Sequence, residues 1–128
     1  MSIVQTDTKI TYAIMKSNLH ELNNLYPFMQ IQNAGYSVLG KQLPVVRLGR
    51  GKKKVFYTGS FHANEWITSI VLMKFIEEYC EAYVKNSTLY GYNIRTLFKN
   101  SSIYIMPMVN PDGVDIVNRS ISKKFTNL

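Results

Sequence analysis

The 128-residue chain predicts one α/β domain, a mixed β-sheet flanked by helices. Three observations predict it. Two segments repeat apolar residues at steps of three and four, the pattern of amphipathic helices. Several short β-favouring runs are separated by glycine-containing turns. The longer helical segment lies between two apolar strands, and strand, helix, strand is the crossover unit that joins parallel strands. With 46% hydrophobic and 12% aromatic content and no low-complexity tract, a chain of this length buries the core of a single domain, residues 1–128.

The first element is a helix from Thr11 to Tyr26. Tyr12, Met15, Leu19, Leu22 and Tyr26 share its apolar side, and Pro27 terminates it. His20, between Leu19 and Leu22, reads as a surface or boundary histidine. Three strands follow, Met29 to Ala34, Leu43 to Leu48 and Lys54 to Ser60, with "LGKQ" and "GRGK" as turns and the first two as a hairpin. The third, "VFYTGSF", is nearly continuous in apolar and β-favouring residues, which suits a strand covered on both faces and places it innermost. From Glu65 to Val84, Trp66, Ile70, Met73, Ile76, Cys80 and Tyr83 or Val84 form one side of a long helix, with Lys74, Glu77, Glu78 and Glu81 opposite or flanking. A loop-rich link with a short helical turn at Ile94 to Phe98 leads to a fourth strand, Ser102 to Asn110, which ends in the turn "NPDG".

Composition bounds the function. The single cysteine, Cys80, excludes an intramolecular disulfide and fits a reducing compartment; nothing basic adjoins it, so it reads as a packing residue. No basic, apolar leader opens the chain and no run reaches the ~20 apolar residues of a membrane span, so the expectation is a cytoplasmic protein without a membrane. The net charge of +7 gathers at "RLGRGKKK" and "SISKKFTNL". Neither cluster comes with a reading helix or spaced stacking aromatics, so a solvated loop or an attraction to anionic substrate is expected rather than nucleic acid.

The stretch "GSFHANEWITS" carries the chemistry. His62 closes the third strand and Glu65 follows three positions on, past a helix start, so both side chains can return to one side at the carboxyl end of the sheet, where open α/β folds place ligands. An imidazole and a carboxylate are zinc-ligand types. The same two residues would also suit a strand end and a carboxylate that complements a positive helix N-terminus.

The flanks separate these readings. His62, Glu65 and Trp66 as H-x-x-E-W, then a long helix, then a strand running into Asn110 to Gly113, resemble the zinc carboxypeptidases (peptidase family M14), the family of pancreatic carboxypeptidase A. "TGSFHANEWIT" and "MPMVNPDGVDIV" are most similar to the bacterial branch that includes γ-D-glutamyl-L-diamino acid endopeptidases acting on cell-wall peptides. The resemblance implies a zinc carboxypeptidase-like fold in truncated form, hydrolysis of peptide amide bonds, and His62 and Glu65 as the first two of three protein zinc ligands. "NPDG" keeps a turn role without chemistry.

By the same resemblance, this is the N-terminal portion of the family's catalytic domain. The third ligand, a histidine, the substrate arginine, the residues that grip a terminal carboxylate, the capping tyrosine, the glutamate general base and the acidic residue that orients the first histidine have no counterpart here. Arg119 stands too close behind "NPDG" for the substrate arginine, and His20, on the first helix, is a poor third ligand. No catalytic residue is therefore assigned, substrate-binding residues are unassigned, and Zn2+ is expected to be held weakly or not at all by a chain that is inactive alone. The peptide substrate belongs to the full-length enzyme. A sheet that stops after its first strands leaves an apolar edge, which implies a homo-oligomer. Two other functions fit in part: an aspartoacylase-type zinc deacylase, which shares the H-x-x-E pair but not Trp66 and "NPDG", and a non-catalytic basic binding module.

Overall fold

The computed structural model describes residues 2–118. The hydroxyl of Thr11 accepts the Ile14 amide and caps helix α1, Tyr12–Leu25, which buries Met15, Asn18, Leu19 and Leu22 and stops short of Pro27. Strands β1, Gln30–Tyr36, and β2, Gln42–Leu48, form the expected antiparallel hairpin, with an irregularity between Asn33 and Tyr36. Strand β3, Lys53–Thr58, leads through a 3₁₀ turn, Ala63–Glu65, into helix α2, Ile67–Val84.

After α2, the link is more ordered than its composition suggests. Thr88–Leu89 (β4) and Tyr92–Asn93 (β5) pair as a small hairpin whose two connecting residues, Tyr90 and Gly91, both have positive φ. A tyrosine rarely takes that conformation, so the turn has no sequence signal. Asn93 then accepts the Thr96 amide and caps helix α3, Ile94–Asn100. Strand β6, Ser101–Met106, and helix α4, Pro111–Val117, complete the described chain.

The main sheet has the order β1-β2-β6-β3, with β2 antiparallel and β3 parallel to β6. This mixed sheet with flanking helices is the expected fold class, but the placement of "VFYTGSF" innermost is corrected. Among the described residues β3 is an edge strand with every residue exposed, and β6 lies between β2 and β3. An apolar run records what a strand can bury, not how many neighbours it has.

The core sits on one face of this sheet. Val46, Leu48, Ile103 and Ile105 are buried there beneath both long helices: Leu19 of α1 shares a cavity with Ile31 and Pro44, and Phe75 and Tyr79 of α2 share one with Val55, Tyr57 and Ile103. The opposite face presents Arg47, Tyr104 and Phe56 side by side, with the Arg47 guanidinium 5.5 Å from the Tyr104 ring centroid.

Two further expectations are corrected. "NPDG" is a helix start rather than a free turn: Asn110 accepts the Gly113 amide at 3.0 Å and Pro111 occupies the first turn of α4, because turn and N-cap chemistry use the same residue types. Glu77 does not belong to the solvated side of α2. It is 3% exposed, accepting the amides of Ile3 at 2.5 Å and Val4 at 3.3 Å, the Ser2 hydroxyl at 3.0 Å and the Lys74 ammonium at 3.0 Å, which docks the N-terminal segment. Cys80 is buried as expected, and no described helix is long and apolar enough to cross a membrane.

Candidate metal centre

The strand-to-helix passage brings His62 and Glu65 together. His62 keeps an extended backbone, φ −99° and ψ 137°, and its carbonyl accepts the Glu65 amide at 3.0 Å to close the 3₁₀ turn. In a 3₁₀ turn residues three apart eclipse, so the two side chains leave the backbone on the same side. His62 Nδ1 lies 2.6 Å from Glu65 Oε1, and the pair is open to solvent, 74% and 55% exposed. The Phe61 ring meets the His62 ring edge-on at 5.6 Å between centroids.

Hydroxyls that the sequence reading did not single out hold this turn. Ser60 takes a left-handed φ of 53° and donates its amide to Thr68 Oγ1 at 2.7 Å; Thr68 in turn donates to the Glu65 carbonyl at 2.7 Å. Ser69 donates to the Pro107 carbonyl at 2.5 Å, which leaves its oxygen to accept from Ser60 Oγ, also at 2.5 Å. One bend is thereby tied to α2 and to the segment after β6. The serines and threonine of "TGS" and "ITS" are the signal that was available, since such residues satisfy backbone at turns and caps.

The start of α4 forms the floor of the turn. A Cβ on Gly113 would stand 2.8 Å from Ala63 Cβ and 2.5 Å from Asn110 Nδ2, so the absence of a side chain lets α4 press against the residue after His62. Gly59 plays the same part on the strand side, where a Cβ would meet the Pro107 carbonyl oxygen at 2.7 Å. Asp112 turns the other way. It accepts from Lys41 Nζ at 2.7 Å, the Leu39 amide at 3.0 Å and the Ser37 hydroxyl at 3.1 Å, fastening the β1–β2 loop to α4. Burial pushes the Asp112 carboxyl up, but those three donors outweigh it and hold the group below its ordinary value.

The remaining candidates lie apart. His20 is exposed on α1, in a cavity with Lys16 and Pro44 on the other half of the sheet. Arg119 falls outside the described residues. Among the described residues no group of three or more His, Cys, Asp or Glu side chains gathers as a metal site. The His62–Glu65 pair fits zinc in donor type and in convergence. Two ligands of a tetrahedral zinc stand ~3.4 Å apart, so this 2.6 Å pair would open by under ~1 Å to admit the ion.

The fold is that of the carboxypeptidases. Bovine thrombin-activatable fibrinolysis inhibitor aligns with a TM-score of 0.74 at 24% identity, covering 89% of this chain and 35% of that one. A metallo-carboxypeptidase from Burkholderia cenocepacia aligns with a TM-score of 0.68 at 20% identity over 82% of this chain and 28% of that one. The chain belongs to the zinc carboxypeptidase family, whose model matches residues 15–127. Among curated relatives, γ-D-glutamyl-L-diamino acid endopeptidase 1 of Lysinibacillus sphaericus is 36% identical over 115 residues, 90% of this chain and 29% of the relative. Carboxypeptidase B of Astacus astacus is 31% identical over 106 residues, 80% of this chain and 32% of that protein. The chain therefore spans about a third or less of the length of these relatives.

Proposed function

We propose that this chain supplies the first two metal donors, His62 Nδ1 and a Glu65 carboxylate oxygen, of a zinc peptidase that hydrolyses amide bonds in cell-wall peptides. The observation that carries the reading is their convergence at 2.6 Å on a braced, solvent-open turn, in a chain whose family match covers residues 15–127. The likeness to the endopeptidase of Lysinibacillus sphaericus, 36% over 115 residues, supports the cell-wall peptide as substrate class.

Bound zinc would polarise the scissile carbonyl and activate water. The residues of this chain contribute position. The 3₁₀ turn fixes the two donors relative to each other, the Ser60–Thr68–Ser69 hydroxyls fix the turn relative to the sheet, and α4 closes it from below. None of the described side chains stands beside the pair as a general base, and two donors alone hold zinc weakly. The 128-residue chain is accordingly expected to take up zinc without appreciable hydrolysis.

Competition with a chromophoric chelator tests this. Zinc uptake by the wild-type chain should be abolished in His62→Ala and weakened in Glu65→Gln, with thermal stability unchanged because both side chains are exposed. Equal uptake by wild type and His62→Ala would refute the assignment. The deacylase and metal-free module readings have no observation of their own in their favour.

A further inference from the structure

We propose that Lys41, in the loop between β1 and β2, is a positioning residue for the His62–Glu65 pair and acts on it through α4. The topology brings the parts together. β2 runs antiparallel to β6 and β3 runs parallel to it, so the start of β2, the end of β6 and the end of β3 meet at one end of the sheet. Lys41 immediately precedes β2, α4 follows β6, and His62 follows β3.

The loop presents the lysine from a fixed frame built on Ser37. That residue donates its amide to the Lys41 carbonyl at 2.7 Å, and it accepts the Gly40 amide on its carbonyl at 2.9 Å and the Lys41 amide on its hydroxyl at 3.0 Å. Gly40 supplies the left-handed φ of 84° that the bend requires. Lys41 Nζ then lies 2.7 Å from Asp112 Oδ1 and 3.5 Å from Asp115 Oδ2, with the Tyr12 ring centroid 5.9 Å away, and all three charged side chains are mostly withdrawn from solvent. The two carboxylates stand three residues apart on α4 and are therefore neighbours on one side of it, where like charges repel. The ammonium between them offsets that repulsion and joins the helix to the loop.

From there the link to the metal turn is direct. α4 has seven residues, too few to hold a helix by its own ladder, so its place is set by what fastens it. Its cap residue, Asn110, donates its amide to the Ser60 carbonyl at 3.1 Å, and Gly113 meets Ala63 so closely that a Cβ there would stand 2.8 Å from Ala63 Cβ. Ser60 and Ala63 lie on either side of His62 in the chain. Without the ammonium, Asp112 and Asp115 repel across one turn of α4, the contact with Ala63 loosens, and the spacing of His62 and Glu65 broadens. The consequence for zinc rests on the function proposed above; the coupling between Lys41 and the turn does not.

Amide hydrogen exchange followed by NMR on the 128-residue chain, beside zinc competition with a chromophoric chelator, tests the proposal. The Glu65 amide closes the 3₁₀ turn on the His62 carbonyl and so reports the turn itself. Lys41→Met keeps the aliphatic stem and leaves Asp112 its bonds to Leu39 and Ser37, so the chain still folds. Exchange at Glu65 should quicken by about three- to tenfold relative to the amides of β6, with zinc uptake weakened by a similar factor, and Lys41→Arg should restore both. Asp112→Asn, which removes the carboxylate and retains its shape, should move the Glu65 ratio in the same direction. A Glu65 amide that exchanges in both Lys41→Met and Asp112→Asn as it does in wild type overturns the proposal. So does equal quickening at Glu65 and throughout β6, the mark of a general loss of stability. If the wild-type chain takes up no zinc, the metal assignment fails, and the exchange ratio still decides the coupling.

Discussion

Thr68 shows how little chemistry separates an ordinary bend from a metal-ready one. Its single hydroxyl accepts from Ser60 and donates to the Glu65 carbonyl, so it sets the register between strand end and carboxylate. Thr68→Val keeps the shape and removes both bonds. It should cost about 1 kcal/mol in chemical denaturation and weaken zinc uptake, with both effects recovered in Thr68→Ser. At Cys80 the prediction runs the other way, toward inertness. Burial pushes this thiol up to about 12, with the Glu77 carboxylate adding to it, so thiol reagents at neutral pH should label the chain only after unfolding.

Among the elements, α4 carries the most for its seven residues. Its cap, its glycine and its two acidic side chains each join different parts of the fold: Asn110 closes the first turn, Gly113 admits Ala63, Asp112 binds the β1–β2 loop, and Asp115 accepts the Tyr12 amide at 2.8 Å. Asn110→Ala should destabilise by about 1 kcal/mol through the lost cap. Gly113→Ala should cost more, about 1–3 kcal/mol, because overpacking against Ala63 exceeds the gain in helix propensity.

The acid limb of stability belongs to this scale as well. Asp112 and Glu77 both have carboxyls held below their ordinary values: burial opposes ionisation in each, and the donors from Lys41 and Leu39, or from Ile3 and Lys74, outweigh it. A depressed folded value means stability that is complete above the unfolded carboxylate range, about pH 4, and is lost as pH falls through the lower folded values. Thermal melts from neutral pH into that range should show the loss. Lys41→Met should flatten it, since Asp112 then loses the ammonium that favours its charged form.

For the molecule as a whole, both long helices lie on one face of the sheet, while on the other face Val45, Arg47 and Tyr104 are half-buried and, among the described residues, the residues of β3 are exposed.

What the sequence by itself determined is local. The periodicity of α1 and α2, the β1–β2 hairpin, the burial of Cys80 and the convergence of His62 with Glu65 all depend on residues within a few turns of one another, where spacing and chemistry act without knowledge of the remainder. Tertiary structure decided what depends on neighbours distant in the chain. Among the described residues β6, and not β3, has a strand on both sides; Glu77 went inside because the amides of Ile3 and Val4, more than seventy residues earlier, came to meet it; and "NPDG" became a helix start pressed on Ala63. A residue's own type states what it can satisfy, and only the packed chain supplies the partner that does so.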